Sequence, residues 1–307
     1  QDVTPEKGAK SQFYGWAKND QAFYYGSNKR DPKYFDLYIM TIADFKSKLM
    51  YQNNDGMNFS GISQDENYIA LSKSLNTNDS DLYIYNQKTK EKTKINDNQS
   101  GNSAQDFSAD NAAFYYTTDD GNEFSYLMKY DLSTKEKTKV LTKDWDVAGA
   151  GFTENGKYMV VYINNDGKND IEVHDMASNT TLSLPDFGTQ SISSVGFSKD
   201  EQWMRMYVGG SNRPSDLYTY NFATKEQHQI TDVLNDDINA EDLVTAKVIR
   251  FKSFDGVEIP AIYYLPHQAT KDQKVPAMVW VHGGPGGQSR QGFNSMLQYM
   301  VNHGYAV

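Results

Sequence analysis

The chain has 307 residues, of which 38% are hydrophobic and 13% aromatic, a length and composition typical of one large or two ordinary folded domains rather than of a disordered chain. Its formal net charge is −10, from 30 basic and 40 acidic residues without a basic stripe, so no nucleic-acid partner is predicted. The chain contains no cysteine, which excludes a disulfide framework, a thiolate nucleophile and a thiolate metal site.

The composition leaves the cellular compartment open, because a chain without cysteine suits an oxidising or a reducing environment. No stretch approaches the roughly 18 apolar residues of a membrane span, so we predict no membrane span. The polar opening, residues 1–4, is not a signal peptide, although a signal could have been removed before it. Our interpretation favours the bacterial periplasm or another extracytoplasmic compartment.

A repeated motif organises the first two thirds of the chain. A large apolar residue, a small residue, any residue and then Asp or Asn recur at intervals of 45 or 46 residues. The five copies begin at Trp16, Ile62, Phe107, Phe152 and Phe197. We expect these five anchor residues to occupy equivalent buried positions in five structural repeats.

Each repeat carries the pattern of a small antiparallel sheet. The motif leads into an aromatic-rich strand, a turn rich in Gly, Asn and Asp, and a second strand. The turn signals lie at residues 27–28, 76–78, 119–121, 164–167 and 209–212, and the second strands at 36–40, 81–85, 126–130, 170–174 and 216–220. Lys/Thr-rich segments close several copies, and with a short strand at each motif the count is about four strands per unit, as in a β-propeller blade. A stacked sheet or a sandwich is the structural alternative, but neither explains so even a spacing.

The Asp or Asn of each motif has a local explanation. Its side chain can accept hydrogen bonds from backbone N–H groups one or two residues later and so hold a turn. We therefore predict a structural role for these residues. The acid-rich turns at 118–123 and 164–170 do not match a calcium-binding loop, and neither a metal nor a cofactor is predicted.

The pattern changes after the fifth repeat. Residues 231–246 begin with an acidic stretch without strand pattern and are interpreted as a linker, so that a propeller domain would span 1–244 and a second domain 247–307. Two strands at 247–253 and 257–266 form a predicted hairpin. Pro260 in the second strand indicates an edge position, because proline cannot donate to a β-ladder.

An apolar run at 277–281 ends in a glycine-rich loop. The run is too short for a helix, which predicts a fully buried strand. In the loop that follows, His282-Gly283-Gly284-Pro285, glycines permit close approach of the backbone and Pro285 fixes a bend. Exposed N–H groups at this point would suit an oxyanion hole, whereas a tight turn without chemistry is the alternative.

Helical spacing of apolar residues follows between 293 and 301. Gly304 is a natural residue to end that helix. Residues 305–307 have the pattern of a further strand.

With their Ser-x-Asp turn after an aromatic anchor, the repeats resemble the blades of TolB-like propellers and of the prolyl oligopeptidase family. From 247 to 307 the order of hairpin, strand, His-Gly-Gly-Pro loop, helix and strand resembles the start of the catalytic domain of that family of serine peptidases, nearest to its acylaminoacyl-peptidase and dipeptidyl-peptidase branches. The fold class expected is mainly β: a propeller, followed by the first strands and helix of an α/β-hydrolase domain.

The resemblance also implies roles for the glycine-rich loop. The backbone N–H near Gly284 would be an oxyanion donor, with His282 organising the loop and Gly283 and Pro285 shaping it. In the family a serine on a Gly-x-Ser-x-Gly elbow is followed by Asp and His, but the 307 residues contain no such elbow. No catalytic residue is therefore expected in this chain, and the three are expected after Val307.

Two functions from different classes follow. The first is a serine peptidase, or an esterase of the same fold, in which the propeller restricts access to short peptide substrates and this chain is an inactive fragment of a longer parent. The second is a non-catalytic propeller that serves as an interaction scaffold. A scaffold has no use for a bare glycine loop, which favours the first. A homo-oligomer is left open.

Overall fold

The computed structural model describes residues 2–284 and 286–307. The chain divides into two compact parts, Gln1–Thr142 and Lys143–Val307. Within the described residues, each of the five predicted repeats forms a four-stranded antiparallel sheet whose strands pair in chain order. None of the described helices is long and apolar enough to cross a membrane.

The first part contains three of these sheets. The first sheet consists of β1 (Ser11–Trp16), β2 (Ala22–Asp31), β3 (Tyr34–Thr41) and β4 (Ser47–Tyr51). The second consists of β5 (Asn58–Ile62), β6 (Tyr68–Ser74), β7 (Ser80–Asn86) and β8 (Lys92–Lys94). The third consists of β9 (Asn102–Phe107), β10 (Ala113–Thr118), β11 (Tyr126–Asp131) and β12 (Lys137–Leu141).

The second part contains two four-stranded sheets, a hairpin and a helix. The fourth sheet consists of β13 (Asp146–Phe152), β14 (Tyr158–Asn165), β15 (Lys168–Asp175) and β16 (Thr180–Thr181). The fifth consists of β17 (Ser191–Phe197), β18 (Trp203–Gly210), β19 (Arg213–Asn221) and β20 (Gln227–Gln229). A 3₁₀ turn (Ala240–Asp242), the hairpin of β21 (Lys247–Lys252) and β22 (Glu258–Tyr263), and the helix α1 (Ser295–Asn302) follow.

The predicted second strands are confirmed in all five repeats, but the predicted turn at residues 27–28 is wrong. Ser27 lies inside β2, where it pairs with Asp36, and the hairpin closes four residues later between Asp31 and Tyr34. The physical reason is Pro32, which sets φ for a turn and has no N–H group to leave unpaired.

The five anchor residues are equivalent, since each ends the first strand of its sheet. Their predicted burial holds for Phe107, which is 3% exposed and packs with Phe114 in a cluster that includes side chains of the second sheet. It is wrong for Trp16, which is 59% exposed, and the other three anchors are half-buried. The ring contacts of Trp16 are to Phe13 and Phe23 of its own sheet.

The motif turns confirm the structural role predicted for their aspartates. In the third sheet, the Ser108 N–H donates to the Ala113 carbonyl (2.9 Å). The Asp110 carboxylate accepts from the Ser108 hydroxyl (2.5 Å) and from the Ala112 N–H (3.0 Å). The hydroxyl of Ser108 is the largest cause that lowers the pKa of Asp110 below its ordinary value.

Stability is expected to fall as the pH drops from about 4 to about 2. The Thr134 N–H holds the pKa of Asp131 down to about 2, whereas an unfolded aspartate titrates near 3.9. Between these values the unfolded chain binds more protons, so the contribution of such carboxylates is present above the unfolded pKa and is lost as pH falls through the folded one. Urea midpoints at pH 5 and pH 2.5 measure it. The double variant Asp110→Asn/Asp131→Asn should lose less stability on acidification than the wild type. An equal loss would show that these two carboxylates are not a cause of the pH dependence.

A second position in each motif turn has a role that the sequence did not reveal. It adopts a positive φ of 55–75° and is occupied by Asp20, Glu66, Asn111, Gly156 and Glu201. Two of these side chains reach the turn of the preceding sheet: Asn111 Oδ1 accepts from the Asp65 N–H (3.2 Å), and Glu201 Oε1 accepts from the Asn155 N–H (2.8 Å). The even spacing of the motifs therefore lets neighbouring turns hydrogen-bond to each other.

Glu201→Ala is expected to destabilise the chain by about 1–3 kcal/mol. Glu201 is buried at 4% exposure, and the loss of its carboxylate would leave the Asn155 N–H without an acceptor. Glu201→Gln keeps an oxygen at this position and should cost less. Thermal melts of the two variants beside the wild type check the order, and equal destabilisation by alanine and glutamine would show that the hydrogen bond is not the cause.

Candidate functional site

The glycine-rich loop is preceded by a short parallel pairing. Ala277 bridges Ala306, with the Met278 N–H donating to the Ala306 carbonyl (2.8 Å) and the Ala306 N–H to the Pro276 carbonyl (2.9 Å). On the other side, the N–H groups of Tyr264 and Val307 each donate to the other residue's carbonyl, at 2.8 and 2.9 Å. Residues 305–307 thus lie between the end of β22 and the segment that enters the loop, as a nascent sheet.

The predicted buried strand at 277–281 is wrong. Val279 is 85% exposed, Trp280 52% and Val281 78%. The hydrogen bonds of the segment to residues 305–307 end at Met278, so within the described residues no adjacent strand covers the remaining apolar side chains. The apolar pattern indicates that these residues prefer a buried position. They are exposed because the described residues do not form a surface that would bury them.

The loop itself is open and held by few contacts. His282, Gly283 and Gly284 are exposed, and Gly284 has a φ of +57°. The Gly287 N–H donates to the Gly284 carbonyl (2.7 Å) and closes a turn, while His282 Nδ1 lies 3.3 Å from the Gly283 carbonyl oxygen. Pro285, the fourth predicted loop residue, lies outside the described residues.

Gly287, which the sequence reasoning did not single out, has the strictest requirement for glycine in the loop. A Cβ there would lie 2.5 Å from the Gly283 carbonyl oxygen and 2.9 Å from His282 Nδ1. At Gly283, Gly284 and Gly286, in contrast, a Cβ would meet nothing within 4 Å. The loop is therefore tight where it closes and open where a ligand would approach its backbone.

The helix that follows fixes the end of the chain against the fifth sheet. Asn294 caps α1 by accepting from the Met296 and Leu297 N–H groups, and Gly304 follows the helix with a φ of +91°, as predicted. Gln298, buried at 3% exposure, accepts from the Val244 N–H (3.0 Å) and donates to the carbonyls of Val244 (2.8 Å) and Ser211 (2.7 Å). A buried amide with three bonds was not predicted, since its partners lie far away in sequence.

A cavity of about 570 Å³ lies beside the loop. Its walls are largely apolar and include Phe251, Tyr263 and Trp280, and its polar members include Asp166 and Arg290. An apolar cleft with a few polar groups at one side is the usual form of a small-ligand site. In the part of the chain that the structure describes, no group of three His, Asp or Glu side chains could hold a metal ion.

Comparisons with known proteins agree on the fold. A puromycin-hydrolyzing peptidase from Mycobacterium tuberculosis superposes with a TM-score of 0.78 at 12% identity, over 98% of this chain and 50% of that one. One of two structurally analysed prolyl endopeptidases gives 0.76 at 15% identity, over 96% and 45%. TolB from Acinetobacter baumannii gives 0.52 at 16% identity, over 71% and 53%. At these identities the likeness shows the fold alone.

The chain spans about half the length of these peptidase structures. No curated protein matches its sequence. The model of the prolyl oligopeptidase N-terminal β-propeller domain matches residues 2–233. The predicted fold class, mainly β with propeller blades followed by the first elements of a hydrolase domain, is confirmed, and the chain belongs to the prolyl oligopeptidase family.

Proposed function

We propose that this chain is part of a longer serine-type peptidase that hydrolyses short peptides, and that residues 282–287 stabilise the oxyanion of its reaction. The observation that carries the proposal is the open backbone of the loop at Gly283, Gly284 and Gly286. Family membership supports a hydrolase, and the similar structures include a peptidase named for hydrolysing puromycin. The proposal includes two forms of this activity, that of an acylaminoacyl-peptidase and that of a dipeptidyl-peptidase.

In the proposed mechanism a serine outside these 307 residues attacks the peptide carbonyl, a histidine takes the serine proton, and the carbonyl oxygen becomes an oxyanion. The Gly284 N–H donates to that oxyanion, and the turn closed by Gly287 holds the N–H in place. His282 orients the Gly283 peptide through the contact between its Nδ1 and the Gly283 carbonyl oxygen. The histidine that took the serine proton then protonates the leaving amine, and water releases the acyl group from the serine.

The propeller blades would act on substrate choice rather than on chemistry. We propose that the domain of residues 1–244 limits access to short peptides and that residues 247–307 begin the hydrolase domain. The second candidate, a non-catalytic scaffold, is favoured by one observation: the sequence contains no Gly-x-Ser-x-Gly elbow.

Hydrolysis assays on the longer protein separate the candidates. We expect release of product from chromogenic peptides of a few residues and little cleavage of unfolded protein chains. An esterase would cleave acyl esters and leave peptide amides intact. Binding of peptides without any turnover would support the scaffold and overturn the peptidase.

A further inference from the structure

The hairpin that joins β14 to β15 has a rigid tip. Asp166 and Gly167 have φ values of +50° and +80°, and Asn165 pairs with Lys168 as the last pair of the ladder. Two positive φ values in a two-residue turn match the right-handed twist of the flanking strands. The Asn165 amide also donates to Asp170 Oδ2 (2.6 Å), which links the end of β14 to β15 beside the turn.

This hairpin tip, residues 164–169, contacts the anchor segment, residues 288–291, which directly follows the glycine-rich loop. Three hydrogen bonds join the two segments, one through backbone groups and two through side chains. They run from the Gln291 N–H to the Gly167 carbonyl (2.8 Å), from the Asn164 amide to Gln288 Oε1 (2.9 Å) and from the Arg290 guanidinium to Asn169 Oδ1.

An ion pair extends the same contact to the hairpin of β21 and β22. Arg250 Nη2 lies 2.8 Å from Asp166 Oδ2, and its Nε lies 3.5 Å from Glu258. A Cβ at Gly167 would come within 3.6 Å of the Ser289 carbonyl oxygen, so the tip also meets the anchor segment by packing. The positive φ of Gly167 favours glycine at that position.

The glycine-rich loop is thereby fixed at both ends. On one side, the pairing of Ala277 with Ala306 positions its entry. On the other, the hairpin tip holds residues 288–291, which directly follow the turn that Gly287 closes. Between these ends the loop is exposed, so its position depends on its two attachments.

We propose that the hairpin tip of the fourth sheet is a positioning element for the glycine-rich loop, with Asn164 and Asn169 as the side chains that hold the anchor segment. Asp166 holds the tip itself in place through its ion pair with Arg250. A propeller blade thus sets the position of the Gly284 N–H. The catalytic consequence rests on the proposed function, whereas the positioning of the loop does not.

Amide hydrogen exchange on the 307-residue chain tests the positioning directly. The double variant Asp166→Asn/Asn169→Ala removes one ion pair and one side-chain hydrogen bond, so exchange at residues 286–291 and tryptic cleavage after Arg290 should both become about fivefold to tenfold faster. Asp166→Asn retains a residue that tolerates positive φ. The matched control is Asp120→Asn, in the hairpin of β10 and β11, which should leave both rates unchanged.

Unchanged exchange in the double variant, with an unchanged melting temperature, would overturn the inference. In the longer protein the same variant should lower kcat with little change in KM, and a variant with Asp166→Glu should recover part of it because the charge is restored. Faster exchange with an unchanged kcat would contradict the oxyanion role of the loop while leaving its positioning intact. The two failures are therefore distinguishable.

Discussion

Gly284→Val in the longer peptidase is expected to lower kcat on a short peptide by about 10² to 10³, or roughly 3–4 kcal/mol, the usual cost of losing one oxyanion donor. Gly284 has a φ of +57°, a conformation that a β-branched residue strongly disfavours. Valine would therefore shift the peptide and add a side chain where substrate must approach. Because the loop is exposed, the melting temperature should change much less than turnover.

The matched control is Gly292→Ala, five residues beyond the loop. A Cβ at Gly292 meets nothing within 4 Å, so this variant should keep most of its activity. A Gly284→Val protein that melts early but turns over normally per folded molecule would leave the residue with a role in the turn only. Measuring kcat beside a thermal melt separates the two outcomes.

Asp36→Ala is expected to destabilise the first part of the chain by about 1–3 kcal/mol, because removing the buried carboxylate takes an acceptor from the partly exposed Arg30 guanidinium and from the Asn53 N–H. The Asp36 side chain is fully buried and accepts from Arg30 Nε (2.7 Å) and Arg30 Nη2 (2.8 Å). It also accepts from the Asn53 N–H (2.8 Å), which would lose its acceptor. Urea unfolding of the variant measures the loss.

Asp55→Ala is the control for this prediction. Asp55 pairs with Lys92 at a partly exposed position, and a surface ion pair contributes about 1 kcal/mol or less. If Asp36→Ala cost no more stability than Asp55→Ala, the hydrogen bonds of Asp36 to Arg30 and Asn53 would not contribute to the stability of the first sheet.

The repeats could be predicted from the sequence because blade structure is local. Each turn depends on residues within a few positions, as where Ser108 and Asp110 hold one turn together, and each strand pairs with its neighbour in the chain. The period of 45 or 46 residues then identifies the repeating unit. Of the predicted hairpin turns, the one at residues 27–28 was wrong, because Pro32 places the turn between Asp31 and Tyr34.

What could not be predicted depends on residues that are distant in sequence. The bond from the Asn155 N–H to Glu201 spans 46 residues, and that from Gln298 to Ser211 spans 87. The exposure of Trp16 depends on what packs against its sheet, which no local pattern contains. Long-range partners are set by packing, whereas the pattern of each repeat sets only its own strands.

The same division applies to the candidate site. The bare glycines at 283 and 284 were predicted because positive φ and close approach are properties of the residue type. The exposure of 277–281 was not, since burial of a strand requires neighbours on both sides. The contact of the hairpin tip with residues 288–291 joins segments more than 120 residues apart, and neither carries a motif.

Labelling with a fluorophosphonate probe tests the central claim most directly. The probe reacts with a serine that is activated by a base beside an oxyanion site. In the longer protein we predict stoichiometric labelling of one serine outside residues 1–307 and, after peptide mapping, none within them; the isolated 307-residue chain should stay unlabelled. Stoichiometric labelling of any serine between residues 1 and 307, or no labelling of a folded longer protein, would contradict the account.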